Sequence, residues 1–267
     1  MGYKQNTDIP QYLAQFGLNA FEYQCGRGVR IAQASAEALG QAMREAGMQV
    51  SMHAPYYISM SSLTEETRLN SIMYMLQSAE ALKQMGGQRI IFHAGSCGKQ
   101  SREEALALAI DTMQRVISEL DANGFSEMNP CPEVMGKVNQ LGTVQEVLAL
   151  CKVDGRIIPC IDFGHLNART NGGLATKEDF GRVIDEIEEA LPDERAKSFH
   201  VHFSKIEYTN GGEKRHLTFE DEIFGPNYEP FLEICNERKL TPTVICESAG
   251  TQAEDAAEMQ QYYTSLL

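Results

Sequence analysis

Apolar positions along the chain follow two alternating rhythms. Short runs rich in β-formers occur at residues 19–24 (NAFEYQ), 49–53 (QVSMH), 89–93 (RIIFH), roughly 128–133, 157–162 (IIPCID), 198–203 (SFHVHF) and 241–247 (TPTVICE). Between them, apolar residues return at three- and four-residue spacing over 34–46, 65–84, 102–120, 144–152, 177–190 and 228–239. The first rhythm predicts short strands apolar on both faces, as in a buried parallel sheet. The second predicts helices that cover such a sheet. Repeated βα units of this kind give a doubly wound sheet or a closed barrel. Seven strands are expected rather than eight. The chain opens on what should be the first helix (8–16), so the first strand of a (β/α)₈ barrel is expected to be missing from it.

The polar residues decide between the two architectures. His53 and His93 end their runs, Asp162 ends IIPCID with His165 three residues on, and Glu247 ends TVICE. His202 lies in SFHVHF, and Glu133 follows the proline-bracketed NPCP. A lone histidine at a strand end is usually a hydrogen-bonded core or loop residue, and a lone Asp or Glu there usually caps the following helix. The joint pattern is different. In a TIM (β/α)₈ barrel the strand ends converge on one face, where active sites are built. Imidazole and carboxylate are the ligands that Zn²⁺ or Mn²⁺ takes where thiolates are absent, and a cation offsets the cost of burying so many titratable groups together. His200 and His202 point the same way one layer apart. His202 is the expected ligand and His200 a supporting or core residue.

Composition narrows the class further. A length of 267 residues suits one domain over 1–267, and with 43% hydrophobic and 22% charged residues a sizeable core is possible. No apolar run reaches the roughly 20 residues that span a bilayer, and the first residues lack the apolar core of a signal peptide. No membrane association is expected, and a cytoplasmic location is. The seven cysteines are scattered with no CxxC pair, which reads as reduced thiols, several of them, as in IIPCID and TVICES, set in apolar runs where a buried structural role is expected. A formal charge of −14 argues against passive nucleic-acid binding, although each bound divalent metal restores about two positive charges where they matter.

At HAPYYIS (53–59), FHAGS (92–96), PEVMGKVNQLGT (132–143), CIDFGHLNAR (160–169), HVHFSKIEYTNGGEKRH (200–216) and ICES (245–248), the chain resembles the endonuclease IV family, and more closely its archaeal-type deoxyribonuclease IV branch. The resemblance implies a (β/α)₈ barrel with zinc ions. It implies that His53, His93 and Glu133 hold the first, that Glu133 bridges to a second completed by Asp162, His202 and Glu247, and that His165 and His216 serve a third. The family's last ligand, an aspartate two residues before the final histidine, falls at Lys214; Glu213 is a substitute whose spacing differs by one. The implied reaction is hydrolysis of DNA 5′ to abasic sites in base excision repair. Two metals together activate water and neutralise attacking and leaving oxygens, with Glu133 and Glu247 as the catalytic carboxylates. Tyr56 and Tyr57 are candidates for stacking into DNA, Arg27 and Arg30 for holding phosphates, and Lys214 for a phosphate contact where the third metal would lie. A monomer is expected.

A second class also fits. Sugar isomerases and epimerases of the xylose-isomerase-like kind use one metal on a Glu, Asp, His, Glu set, which Glu133, Asp162, His202 and Glu247 satisfy, and an acidic pI near 4.9 suits a small-molecule substrate. His53, His93, His165 and His216 favour the multinuclear hydrolase, because a one-metal isomerase has less need of them. A non-catalytic metal-binding relative is the third reading.

Overall fold

The structure, a computed structural model, describes residues 5–267; the first four residues of the expected domain lie outside the described residues. Its frame is a ring of parallel strands. β1 (Ala20–Gln24), β2 (Gln49–His53), β3 (Arg89–Phe92) and β4 (Asn129–Pro132) pair in that order. A parallel bridge from Glu133 to Cys160 carries the ring to β5 (Cys160–Asp162), which pairs with β6 (His200–Phe203). An antiparallel hairpin of β7 (Ile206–Thr209) and β8 (Gly212–His216) follows, and β9 (Thr243–Cys246) returns to pair with β6. All seven predicted strands are present, trimmed by up to three residues at their ends.

No ladder joins β9 to β1 among the described residues, although the two lie side by side. Seven parallel strands therefore form the barrel wall, as expected. At the seam lies a cavity of about 640 Å³, lined by Phe21 and Gln24 of β1, Val244 and Glu247 at β9, and residues of the flanking helices. Val244 and Ile245 are only half-buried there, which is what an unpaired strand edge leaves open.

The outer helices are α1 (Ile9–Ala14), α2 (Gln33–Glu45), α3 (Glu65–Met85), α4 (Arg102–Ala122), α5 (Val144–Cys151), α6 (Phe163–Arg169), α7 (Lys177–Ala190), α8 (Glu229–Arg238) and α9 (Gln252–Ser265). Several starts are written into the sequence. Ser101, Thr143 and Thr176 each accept the backbone N–H three residues on, while Glu104, Glu146 and Asp179 bond back to the cap's N–H, satisfying amides that a helix start leaves unpaired. Among the described residues no helix is long and apolar enough to cross a membrane. All seven cysteines are buried.

Two layers fill the core. Met52, Ile90, Ile91, Phe92 and Val201 are buried on the strands, and Phe163, Phe180, Phe203 and Phe231 form a cluster beneath α6, α7 and α8. The Phe231 ring centroid lies 4.6 Å from Phe163 and 6.2 Å from Phe203. Truncating so large a side chain in a packed layer leaves a cavity that helices tied to the sheet can close only in part. Phe231→Ala should therefore lower the unfolding free energy by about 3–5 kcal/mol, measured by denaturant titration. A loss below about 1 kcal/mol would mean that the layer collapses freely around the gap.

Candidate metal centre

Parallel strands place their C-terminal ends on one rim, and the titratable residues collect there. His53 ends β2, His93 follows β3, Glu133 follows β4, Asp162 ends β5, His202 lies on β6 and Glu247 follows β9. Glu133 is fully buried and lies among four imidazoles. Its Oε2 is 3.2 Å from His53 Nε2 and 3.0 Å from His93 Nε2; its Oε1 is 3.1 Å from His202 Nδ1 and 3.3 Å from His165 Nδ1.

Backbone carbonyls fix the tautomers of two rings. His53 Nδ1 is 2.9 Å from the carbonyl of Ala54 and His165 Nδ1 is 3.1 Å from that of Val134. A carbonyl oxygen only accepts, so each Nδ1 donates, leaving His53 Nε2 to face Glu133 and His165 Nε2 to face Glu213. Asp162 has two roles at once. Its Oδ1 accepts the His165 amide at 2.7 Å and caps α6. Its Oδ2, fully buried, makes no aligned hydrogen bond, although His165 Nδ1 is 3.1 Å away. Helix capping thus occupies one oxygen of this carboxylate and leaves the other free to face the cluster.

At the rim the donors fall into three groups whose ligand atoms all lie within 4.8 Å of one another: His53, His93 and Glu133; Glu133, Asp162, His202 and Glu247; and His165, Glu213 and His216; Cys160, His200 and His202 make a fourth, fully buried on β5 and β6. Glu133 belongs to the first two. The donor types and the unpartnered Asp162 oxygen fit divalent cations of the zinc or manganese kind. In the third group a β-bulge decides which acid participates. The hairpin register shifts between Glu207 and Tyr208, so Tyr208 faces Glu213 while Glu207 faces Arg215, and Lys214 is the extra residue. Glu213 turns in, 3.4 Å from His165 Nε2. Lys214 is exposed and pairs with Glu207. Gly136 packs so closely here that a Cβ would lie 2.6 Å from Glu213 Cβ and 2.9 Å from His165 Cδ2.

The loop after Glu133 is held by two arginines. Arg102 and Arg169 donate to the carbonyls of Val138 and Gln140, and Arg169 also reaches Met135 and Lys137. Of the predicted contact residues, Tyr56 and Tyr57 are exposed at 58% and 54%. Tyr56 stacks over His93 with centroids 5.4 Å apart, at the edge of the donor cluster, whereas Tyr57 leans on Tyr74 of α3. Arg27 and Arg30 lie in the loop after β1, in no ion pair among the described residues.

One participant escapes the sequence reading. Glu22, on β1, is buried and accepts Ser51 Oγ at 2.9 Å; His200 Nε2 and His202 Nε2 each lie 3.0 Å from one of its oxygens. Its signal is a lone acid inside an apolar strand, which sequence spacing does not connect to residues some 180 positions away.

Residues 10–265 match the family described as xylose isomerase-like TIM barrel. The chain belongs to that family. Over 256 residues it is 34% identical to an uncharacterised protein of Methanocaldococcus jannaschii, covering 95% of this chain and 90% of that protein. It is 26% identical to a probable endonuclease 4 of Methanosphaera stadtmanae, covering 80% and 76% of the two chains. Two solved structures share the fold: a D-tagatose 3-epimerase-like protein (TM-score 0.72, 17% identity, 96% of this chain and 92% of that one) and endonuclease IV from Thermus thermophilus (TM-score 0.71, 19% identity, 99% and 96%). At these identities the structures show the fold and leave the two chemistries level.

Burial and charge act against each other at this rim. Burial resists protonation of His165, but Asp162, Glu133 and Glu213 outweigh it and push its pKa up to about 10. Burial likewise opposes, and surrounding anions overcome, protonation of His53 and His202, both raised; for His93 burial wins and the pKa falls. Glu133 is pushed the opposite way to its burial, well below the carboxylate range, chiefly by His202 and His93. Without metal, protons on imidazoles therefore balance the buried carboxylates. Raised histidine pKa values contribute stability to the metal-free fold below about pH 6.5, and that contribution is lost as pH rises through the folded values, for His165 near 10. Metal needs the same nitrogens deprotonated. Zinc binding should release at least about one proton per chain at pH 7 and tighten as pH rises, measured by calorimetry in buffers of different ionisation enthalpy. Proton-neutral binding would show that the imidazoles are not the ligands.

Proposed function

We infer that this protein is a metal-dependent phosphodiester hydrolase of the endonuclease IV kind, cleaving DNA 5′ to abasic sites. The observation that carries the reading is the set of three donor groups on one rim, two of them sharing Glu133. A one-metal isomerase needs only the group of Glu133, Asp162, His202 and Glu247. His53 and His93 complete a further group around Glu133, and His165, Glu213 and His216 make another. The probable endonuclease 4 relatives support the same choice.

Bound zinc or manganese would supply charge neutralisation at the phosphate and activation of water. His53, His93 and Glu133 would hold one ion; Glu133, Asp162, His202 and Glu247 a second; His165, His216 and Glu213 a third, with Glu213 replacing the acid that the family places at Lys214. The two catalytic carboxylates differ in what they can do. Both oxygens of Glu133 are committed to imidazoles, which suits a bridging ligand. Glu247 is 19% exposed and 3.7 Å from His202 Nδ1, which suits a group that orients water and accepts its proton. Tyr56, stacked beside the cluster, and Tyr57 are placed to cover a DNA base or sugar at the rim. Arg27 and Arg30, free of acidic partners among the described residues, supply phosphate contacts, and Lys214 does so at the hairpin edge after leaving Glu207.

The tests separate the readings. Zinc-reconstituted protein should carry two to three ions per chain by elemental analysis and should nick an abasic-site duplex. Glu247→Gln should lower kcat by about 10²–10⁴-fold with the fold intact and weaken the one ion it helps to hold, whereas Glu133→Gln should weaken both ions that share it. One ion per chain together with turnover of ketoses or aldoses would establish the sugar isomerase or epimerase instead. The bulge gives a further prediction. Glu213→Gln should remove the third ion and Lys214→Ala should not, by the same metal count. The reverse result would return the family's usual spacing to this chain.

A further inference from the structure

The geometry assigns Glu22 as a positioning residue for the metal centre, an assignment that rests on the metal-binding reading above. Each imidazole aimed at a divalent cation needs its other nitrogen held by an acceptor, or the ring is free to turn and its tautomer is unset. For His53 and His165 that acceptor is a backbone carbonyl, Ala54 or Val134. His202 has no such neighbour. It lies on β6 between β5 and β9, whose backbone groups are engaged in the ladders. Its Nδ1 faces Glu133 and Glu247 at 3.1 and 3.7 Å, and its Nε2 points down into the barrel, where the nearest acid is Glu22 Oε1 at 3.0 Å.

That Nε2 is fully buried and makes no aligned hydrogen bond, which leaves the Glu22 oxygen 3.0 Å away as the acid within its reach. Glu22 is itself set from the other side. Its Oε2 accepts from Ser51 at 2.9 Å and is 3.0 Å from His200 Nε2. Gln24, two residues along the same strand, lies with Nε2 3.3 Å from Glu22 Oε1 and 3.5 Å from Glu247 Oε1. Glu22 therefore bears on two ligands of one cation, His202 directly and Glu247 through Gln24. The arrangement makes His202 an Nδ1 ligand with Nε2 protonated and directed at Glu22.

Zinc affinity measured against a competing chelator, with no turnover assay, tests this. Glu22→Met removes both acceptor oxygens at similar volume, and Glu22→Gln keeps one. The ion held through His202 should weaken about 10–100-fold in Glu22→Met, less in Glu22→Gln, while the ion held by His53 and His93 changes little. A folded Glu22→Met protein that binds every ion as the wild type does would overturn the assignment. The wild type gives an independent readout should the variant fail to fold. Nitrogen-15 histidine spectra of the zinc-loaded protein should show His202 metallated at Nδ1 and protonated at Nε2, and metal on Nε2 would overturn it equally. Wild type that binds no zinc would instead sink the metal-centre reading on which the assignment rests.

Discussion

One buried carboxylate in contact with four imidazoles organises this molecule. Glu133 is inaccessible to solvent, and an unpaired ionised carboxylate there would cost several kcal/mol. Its partners come from β2, the end of β3, β6 and α6. An open sheet could bring two of these to one side chain. Only strands curled round a common interior bring residues from β2 and β6 against the end of β4, and the stacking of His53 on His202, with centroids 6.0 Å apart, records that closure. The barrel and the charge cluster therefore depend on each other. The wall gathers the groups, and the groups tolerate burial only because the wall gathers them.

What surrounds the cluster keeps it from relaxing. Two rings are pinned by carbonyls of the residues next to the strand ends. The loop after Glu133 is pinned by arginines from α4 and α6 that bind its carbonyls. Arg102 is held in turn by Glu146, which also closes the capping box at the start of α5. A site carried on strand ends and braced in this way keeps its geometry better than one carried on free loops. Oriented ligands of that kind need little reorganisation when a cation arrives.

Much of this is legible in the sequence because strands alternate with helices at short range. The two periodicities locate all seven parallel strands, and the acids and histidines at their ends mark the rim. Less legible are elements whose reasons are not periodic. The helix Phe163–Arg169 begins directly after a residue expected to be a ligand, so cap and ligand read as alternatives for Asp162, whereas one oxygen caps the helix and the other faces the donor cluster. The hairpin at 206–216 escapes the periodicity because its strands are polar and lie outside the barrel wall. Its bulge is equally invisible, since a one-residue slip follows from how the hairpin packs on Gly136 and Lys137. The same slip explains why matching the family's spacing points at Lys214 while the fold turns Glu213 inward. Glu22 stays hidden for a different reason. Its role arises from neighbours on β2 and β6 that only the closed barrel brings beside it.

Charge connects the cluster to the question of substrate. Glu22, Glu133, Asp162 and Glu247 place four carboxylates around one small volume, with Glu22, Glu133 and Asp162 each less than a tenth exposed. Two divalent cations would neutralise four such groups, whereas one would leave an excess of about two negative charges in a low-dielectric interior. In the metal-free protein the pKa values of His53, His165 and His202 are raised by the surrounding acids, so imidazole protons offset part of that excess. A single-metal enzyme would have to keep part of that proton load while it worked. The same arithmetic bears on the overall charge of −14. Charges spread over the outer helices would act on a phosphate ligand through solvent and fade beyond about 8–10 Å at physiological salt, while cations seated at the rim would act on it at contact distance. An acidic surface with a metal-rich rim would bind DNA weakly overall and cut it locally, so the acidity weighs against tight, lesion-independent binding far more than against hydrolysis at the site.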